Sequence, residues 1–235
     1  MNDMSNAPIS ESGPNSVLQT WSRALTRPNE QTFADIAASP NARASTAYLW
    51  VFIGSLIQVF LTALVQSRML GTYMDQAGLG DVLGNQARGI GSVLIGAICG
   101  APIAAAVTTL FFAIGVFVVQ WIAKMFGGTG TTDKLAYTLA SIVAPFSIVA
   151  GILSLFAAIP YVGLCFSVIL AVAGIYIFVL EAMAVKAVNR VGWGAAIGSL
   201  LIPGLVIGLL CACLVGVSFA ALWPAIRDAA PNLQP

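Results

Sequence analysis

Side chains that could perform acid–base, nucleophilic or metal chemistry are scarce in this sequence. Histidine, the commonest general base and metal ligand, is absent. Glu181 is the only acidic residue within an apolar stretch, and an ionisable residue at membrane depth is by default a candidate for a proton or cation site. The alternative is a structural ion pair with Lys186 or with a lysine of a neighbouring loop.

Two further motifs do not meet the requirements of a chemical site. The segment 127–132 is rich in glycine but lacks the preceding strand and the Lys-Ser/Thr pair of a phosphate-binding loop, so we interpret it as a flexible turn. The cysteines lie in apolar runs, which favours small buried side chains over disulfides or a metal site. They are Cys99, Cys165, Cys211 and Cys213. We therefore predict no catalytic, cofactor-binding or metal-binding residue, and no enzyme.

The composition indicates lipid rather than water as the solvent. Of the 235 residues, 59% are hydrophobic and 8% are charged, whereas soluble proteins average about 25% charged residues. A formal net charge of +1 without a basic cluster argues against a nucleic-acid partner.

The apolar stretches predict an all-α integral membrane protein in which residues 44–222 form a five-span bundle. The apolar region that ends at Phe126 is too long for one crossing, so we divide it at Pro102 into an amphipathic helix and a span. The predicted spans are 44–65, 102–125, 135–159, 164–185 and 196–222, and the amphipathic helix is 81–99. Residues 1–15 are predicted to be a disordered tail, and 223–235 a C-terminal tail.

The segment 16–43 is amphipathic rather than spanning. Apolar residues recur at helical spacing on both sides of Pro28. We interpret the segment as cytoplasmic interfacial helices, with Trp21 at the depth of the lipid headgroups. Short helices packed on the bundle are the alternative.

Lysine and arginine are distributed unequally between the two sides that five spans would create. Seven lie on the side of the N-terminus: Arg23, Arg27, Arg43, Lys124, Lys134, Lys186 and Arg190. Three lie on the other side: Arg68, Arg88 and Arg227. The positive-inside rule therefore predicts a cytoplasmic N-terminus and a C-terminus outside.

Small residues form faces on which helices could pack. From Gly204 onward, every fourth residue of the last span is small: Gly204, Gly208, Ala212, Gly216 and Ala220. Gly96 and Gly100 begin a shorter series before the second span. Because such faces let helix backbones approach closely in lipid, they predict packing inside the bundle or against another chain.

Several landmarks resemble the Yip family, the Ypt/Rab-interacting proteins, in its bacterial branch. The similar positions are Pro28, Phe33, Tyr137, Pro145, Pro160, Gly163 and Lys186, together with the Gly127-Gly128 loop. The resemblance implies a five-span bundle with a cytoplasmic N-terminus and, for eukaryotic members, binding to Rab-type GTPases. The acidic-Leu-Tyr-Gly-Pro motif of those members is absent here, which argues against Rab binding.

These features predict a non-enzymatic scaffold or interaction protein in membrane organisation or trafficking, in the inner (cytoplasmic) membrane of a bacterium. The expected partners are the lipid bilayer and other membrane proteins or further copies of the chain. Two alternatives stay open. One is a small-solute or ion transporter that uses proline-kinked spans and Glu181, and the other is an accessory subunit of a larger membrane complex.

Overall fold

The computed structural model describes residues 14–76, 90–157 and 162–206, together with Cys213. Every regular element in these ranges is an α-helix, and no strand occurs in them. In chain order the helices are α1 (Pro14–Thr26), α2 (Glu30–Ala38), α3 (Ala44–Gln76), α4 (Ile90–Met125), α5 (Thr132–Ala157), α6 (Val162–Asn189) and α7 (Trp193–Val206).

Four helices in the described ranges are long and apolar enough to cross a membrane. Their candidate spans are Ala44–Ala63, Ile95–Met125, Thr132–Phe156 and Val168–Asn189. The chain is therefore a helical membrane protein. The predicted fifth span, 196–222, lies largely outside the described residues, and its described part belongs to the shorter apolar helix α7.

The first half of α5 lies at the centre of the bundle. Every residue from 135 to 142 is buried, and α5 contacts α1, α2, α3, α4 and α6. Burial on all sides of one helix requires neighbours all round it. The short helices α1 and α2 supply part of this enclosure, at the end of the bundle where α3 and α5 begin and α4 and α6 end. We call this end, with α1, α2 and the loop 126–131, the capped end, and the opposite one the far end.

The most extensive helix contact in the described bundle joins α3 and α5, and glycines make it close. A Cβ atom on Gly54 would lie 2.7 Å from the carbonyl oxygen of Ala144. One on Gly151 would lie 2.8 Å from Cα of Gln58. Because backbone atoms stand where the side chains would be, only glycine permits this separation of the two helices.

The N-terminal helices differ from the interfacial interpretation. Asn29 caps α2 by accepting the backbone N–H of Thr32 at 2.6 Å, and the apolar face of α2 is buried in the protein core. On α1, Trp21 packs edge-on against Trp50 of α3, with ring centroids 5.8 Å apart. Most of these apolar side chains are thus packed against protein, which agrees with the alternative of short helices packed on the bundle, while Leu18 of α1 is exposed. Amphipathic periodicity shows that one face of a helix is covered, but it does not show whether protein or lipid covers that face.

The predicted break at Pro102 is wrong. Residues 90–125 form one helix with Pro102 inside it, while residues 81–89 of the predicted amphipathic helix lie outside the described residues. A proline removes one backbone hydrogen bond, whereas ending a helix leaves several groups without intrahelical partners. In an apolar environment continuation is therefore the less costly choice. In the same way Pro203 lies inside α7, and α3 continues beyond the predicted end at 65.

Candidate functional site

The predicted packing face is not used within the described bundle. A Cβ atom on Gly96, Gly100 or Gly204 would have no heavy atom within 4 Å. The remaining members of the last-span series lie outside the described residues: Gly208, Ala212, Gly216 and Ala220. Contact of these faces with another chain stays a prediction.

The family-like positions gather mainly at the capped end. Pro28 lies between α1 and α2. Phe33 and Tyr137 are buried in the core. Lys186 lies in the last turn of α6. Of the others, Pro145 is buried inside α5, Gly163 is in the first turn of α6, and Pro160 lies outside the described residues.

The glycine-rich loop is a bonded cap of α4, which differs from the flexible turn that we predicted. Gly127 has a φ of 86°, and its N–H donates to the carbonyl of Lys124 at 2.9 Å. The N–H of Gly128 donates to the carbonyl of Ala123, also at 2.9 Å. This pair of bonds is a Schellman motif, which needs the left-handed backbone that glycine adopts without strain.

The same loop is joined to the end of α6 through a buried amide pair. Gln120 of α4 donates from Nε2 to Oδ1 of Asn189 at 2.7 Å and to the carbonyl of Gly130 at 2.9 Å. The carbonyl of Asn189 accepts the N–H of Thr129 at 3.1 Å. A Cβ atom on Gly130 would lie 2.7 Å from Oδ1 of Asn189. The loop therefore needs glycine at this position because α6 lies against it.

The sequence pointed only weakly to this amide cluster. Gln120 and Asn189 are both nearly inaccessible, but they are 69 residues apart in the chain. A lone amide within an apolar run is compatible with many partners. The available signals are the glycine spacing of the loop and the single glutamine in the second span.

Lys186 connects three elements at the capped end. Its ammonium group forms an ion pair with Glu30 at the start of α2. It also lies over the ring of Trp193 in α7, 4.7 Å from the centroid. Lys186, one of the candidate partners for Glu181, is thus paired with α2 instead.

Glu181 lies on the packed side of α6 and is half-buried, between the buried residues Leu180 and Ala182. Among the described residues it has no ion pair. The described residues therefore provide no ion-pair partner for Glu181, and its assignment as a proton or cation site stays a prediction.

A polar cavity of about 250 Å³ lies between α1, α2 and α5. Arg23 of α1 and Arg27, which directly follows α1, line it, with Asp35 and Thr32 of α2 and Tyr137 of α5. This cavity was not predicted. Its residues come from three segments, and helical periodicity does not determine how those segments pack against one another. It is the part of the described structure in which charged side chains converge.

The described cysteines and acidic residues do not form a metal site. No group of three or more histidine, cysteine, aspartate or glutamate residues in these ranges could hold a metal ion. Cys99, Cys165 and Cys213 are free thiols and are exposed, whereas we expected buried ones. These three side chains face outward, where lipid covers small apolar side chains as well as a protein core does.

The fold and these contacts define the class of protein, a helical membrane protein whose polar contacts in the described residues are concentrated at one end. The Yip1 domain family matches residues 22–215, which is most of the chain. The chain belongs to this family, which confirms the resemblance seen in the sequence. No curated protein and no solved structure matches it.

Proposed function

We propose that this chain is a non-enzymatic scaffold of the membrane that associates with another membrane-embedded chain through the small-residue face of α4. The observation that carries the proposal is the contrast between two kinds of glycine. Gly54 and Gly151 lie against a neighbouring backbone, whereas a Cβ atom on Gly96 or Gly100 would meet no heavy atom of another described helix within 4 Å. In lipid a glycine face favours helix association only where a second helix covers it.

The surroundings of this face support the proposal. Gly96, Cys99 and Gly100 are exposed, as are the large apolar side chains of Ile95 and Ile98. Because the glycines lack side chains, they leave a shallow groove in the exposed surface of α4, which a partner helix can enter.

The position of Cys99 beside the groove allows a direct test in membranes. In a variant that retains Cys99 as its only cysteine, mild oxidation should give a disulfide-linked dimer if the partner is a second copy. Replacing Gly100 by Leu should abolish the dimer, because a leucine fills the groove. The matched control is Gly174→Leu on α6, because a Cβ atom on Gly174 would also meet nothing within 4 Å. Gly174 is not part of a small-residue series, since Leu170 and Phe178 lie four residues away on either side.

Purification in mild detergent extends the test to unlike partners. A defined membrane protein that is retained by the wild type and by Gly174→Leu, but lost with Gly100→Leu, would support the scaffold and would fit an accessory subunit as well. Identical partners and identical cross-linking in all three proteins would contradict the proposal.

A transporter is the second candidate, and it depends on one observation. Glu181 lies on the packed side of a span with no ion pair in the described residues, and such groups occur in proton and ion pathways. Flux of a solute into proteoliposomes that Glu181→Gln abolishes would favour this function over the scaffold.

The proposed location is the inner membrane of a bacterium with the N-terminus in the cytoplasm. The excess of lysine and arginine on the side of the N-terminus supports this orientation. Labelling of single cysteines introduced at Ser22 and at Gln76 with a membrane-impermeant reagent tests it, because only the second should react in intact cells.

A further inference from the structure

We propose that the cavity between α1, α2 and α5 binds a phosphate group, with Arg23 and Arg27 as its principal ligands. This inference goes beyond the scaffold and does not depend on it. The helix face proposed for association is on α4, whereas the cavity is formed by other helices at the capped end.

The first argument is the charge of the two arginines. Arg23 lies in the last turn of α1 and Arg27 directly follows the helix, where the N–H of Arg27 donates to the carbonyl of Arg23 at 3.1 Å; both line the cavity. Two like charges this close repel each other. Among the described residues neither guanidinium has an ion pair. An anion held between them would neutralise both charges and accept N–H donors from both.

The second argument is the single carboxylate in the cavity. Asp35 lines the same space from α2, but its Oδ1 accepts a hydrogen bond from Nε2 of Gln31 at 2.9 Å rather than pairing with an arginine. The charged side chains that line the cavity thus comprise two cations and one anion. The excess positive charge favours an anionic ligand, and Asp35 limits how strongly it is held.

The third argument is the size and the chemistry of the walls. A volume of about 250 Å³ is below the roughly 300–1,000 Å³ of pockets for drug-sized molecules, so the cavity suits a compact group. Thr32 adds a hydroxyl to the wall from α2. A phosphate accepts hydrogen bonds on several oxygens at once, which matches donors placed on more than one side.

Two sources of phosphate share this chemistry, the headgroup of an anionic phospholipid and a soluble phosphate compound. Arg23 and Arg27 are both exposed to the surroundings of the bundle, so either source can reach them. The experiment therefore uses one probe for each source, inorganic phosphate and a short-chain phosphatidic acid. Phosphatidylcholine of the same chain length serves as the reference for general effects of lipid.

The test is thermal unfolding of the purified full-length chain in phosphate-free detergent buffer at low salt, with increasing concentrations of each probe. A ligand that binds only the folded state raises the apparent Tm in a saturable way. We expect saturation with at least one probe, and phosphatidic acid to exceed phosphatidylcholine if the source is lipid. The Arg23→Gln/Arg27→Gln variant should bind that probe at least about tenfold more weakly.

Three further variants separate recognition from folding and from general charge. Arg43→Gln removes an exposed basic residue near the start of α3 that does not line the cavity, and it should bind as the wild type does. Arg23→Lys/Arg27→Lys keeps the charge but loses the planar fork, and it should be intermediate. Asp35→Asn removes the opposing carboxylate and should bind more tightly.

Absence of saturable stabilisation by both probes would overturn the proposal. So would equal affinity of the wild type and the Arg23→Gln/Arg27→Gln variant for the probe, when the two proteins have the same Tm without ligand. If succinate stabilised the chain as much as phosphate does, the cavity would attract anions in general, and the proposal of phosphate recognition would be wrong.

Discussion

The capped end and the far end of this bundle are held together by different interactions. At the capped end residues 135–142 of α5 are buried on every side, and the amides of Gln120 and Asn189 are hydrogen-bonded out of contact with solvent. Toward the far end, large apolar side chains of α5 and α6 are exposed on the bundle surface, among them Ile152, Phe156 and Val168. The structure there depends on helix–helix contact.

This difference follows from the solvent of each region. Lipid chains are as apolar as leucine, so burial of leucine against another helix contributes little, and close backbone packing has to hold the spans together. Gly54 and Gly151 make such packing possible between α3 and α5. At the capped end, short amphipathic helices cover the bundle, and ordinary core packing and buried hydrogen bonds add to the contact.

The largest predicted effect is at the α3–α5 contact. Gly151→Leu should lower the free energy of unfolding by about 3 kcal/mol, because the side chain would meet the backbone of Gln58, which cannot move without separating the helices. Reversible unfolding in a fixed detergent micelle measures this change. Gly174→Leu, at a position with open space around it, is the control and should be close to neutral. Equal effects of the two substitutions would contradict the role assigned to close packing.

The second prediction concerns the capped end. Asn189→Ala should lower the free energy of unfolding by about 2 kcal/mol, because it leaves the buried amide of Gln120 without one of its two acceptors. It should also increase hydrogen exchange at the N–H of Thr129 and in the rest of the 126–131 loop, while α3 is unchanged. Gln19→Ala, which removes an exposed amide on α1, is the control. Unchanged exchange in the loop would show that the amide pair does not order it.

The position of the spans could be predicted from sequence, and the contacts between them could not. Long apolar runs must satisfy their backbone groups as helices, so hydropathy alone located the four candidate spans. The resemblance carried by positions such as Phe33 and Lys186 is confirmed at the level of the family. Pro102 misled the prediction, because a helix in lipid continues through a proline that would end many helices in water.

The packing glycines show most clearly what the sequence does not contain. The regular spacing of Gly96 and Gly100 is conspicuous, yet a Cβ atom on either would meet no other described helix, whereas Gly54 and Gly151 support the largest helix contact. Small residues indicate where two helices could approach, and only the three-dimensional arrangement decides which of these places is occupied. The cavity beside Arg23 could not be predicted for the same reason, since it forms only where α1, α2 and α5 meet.

The smallest predicted effect is at the link between α2 and α6. The ion pair of Lys186 and Glu30 is partly exposed, with side-chain exposures of 20% and 52%, so its coupling free energy should be only about 0.5 kcal/mol and should fall as salt is added. A double-mutant cycle with Lys186→Met and Glu30→Gln measures it. A parallel cycle of Lys186→Met with Trp193→Leu isolates the contact of the ammonium with the indole ring, which salt should weaken less. A coupling above about 2 kcal/mol in the first cycle would mean that this pair is shielded from water. The capped end would then be stabilised by an ion pair in addition to its core packing and buried hydrogen bonds, whereas the far end depends on close helix packing alone.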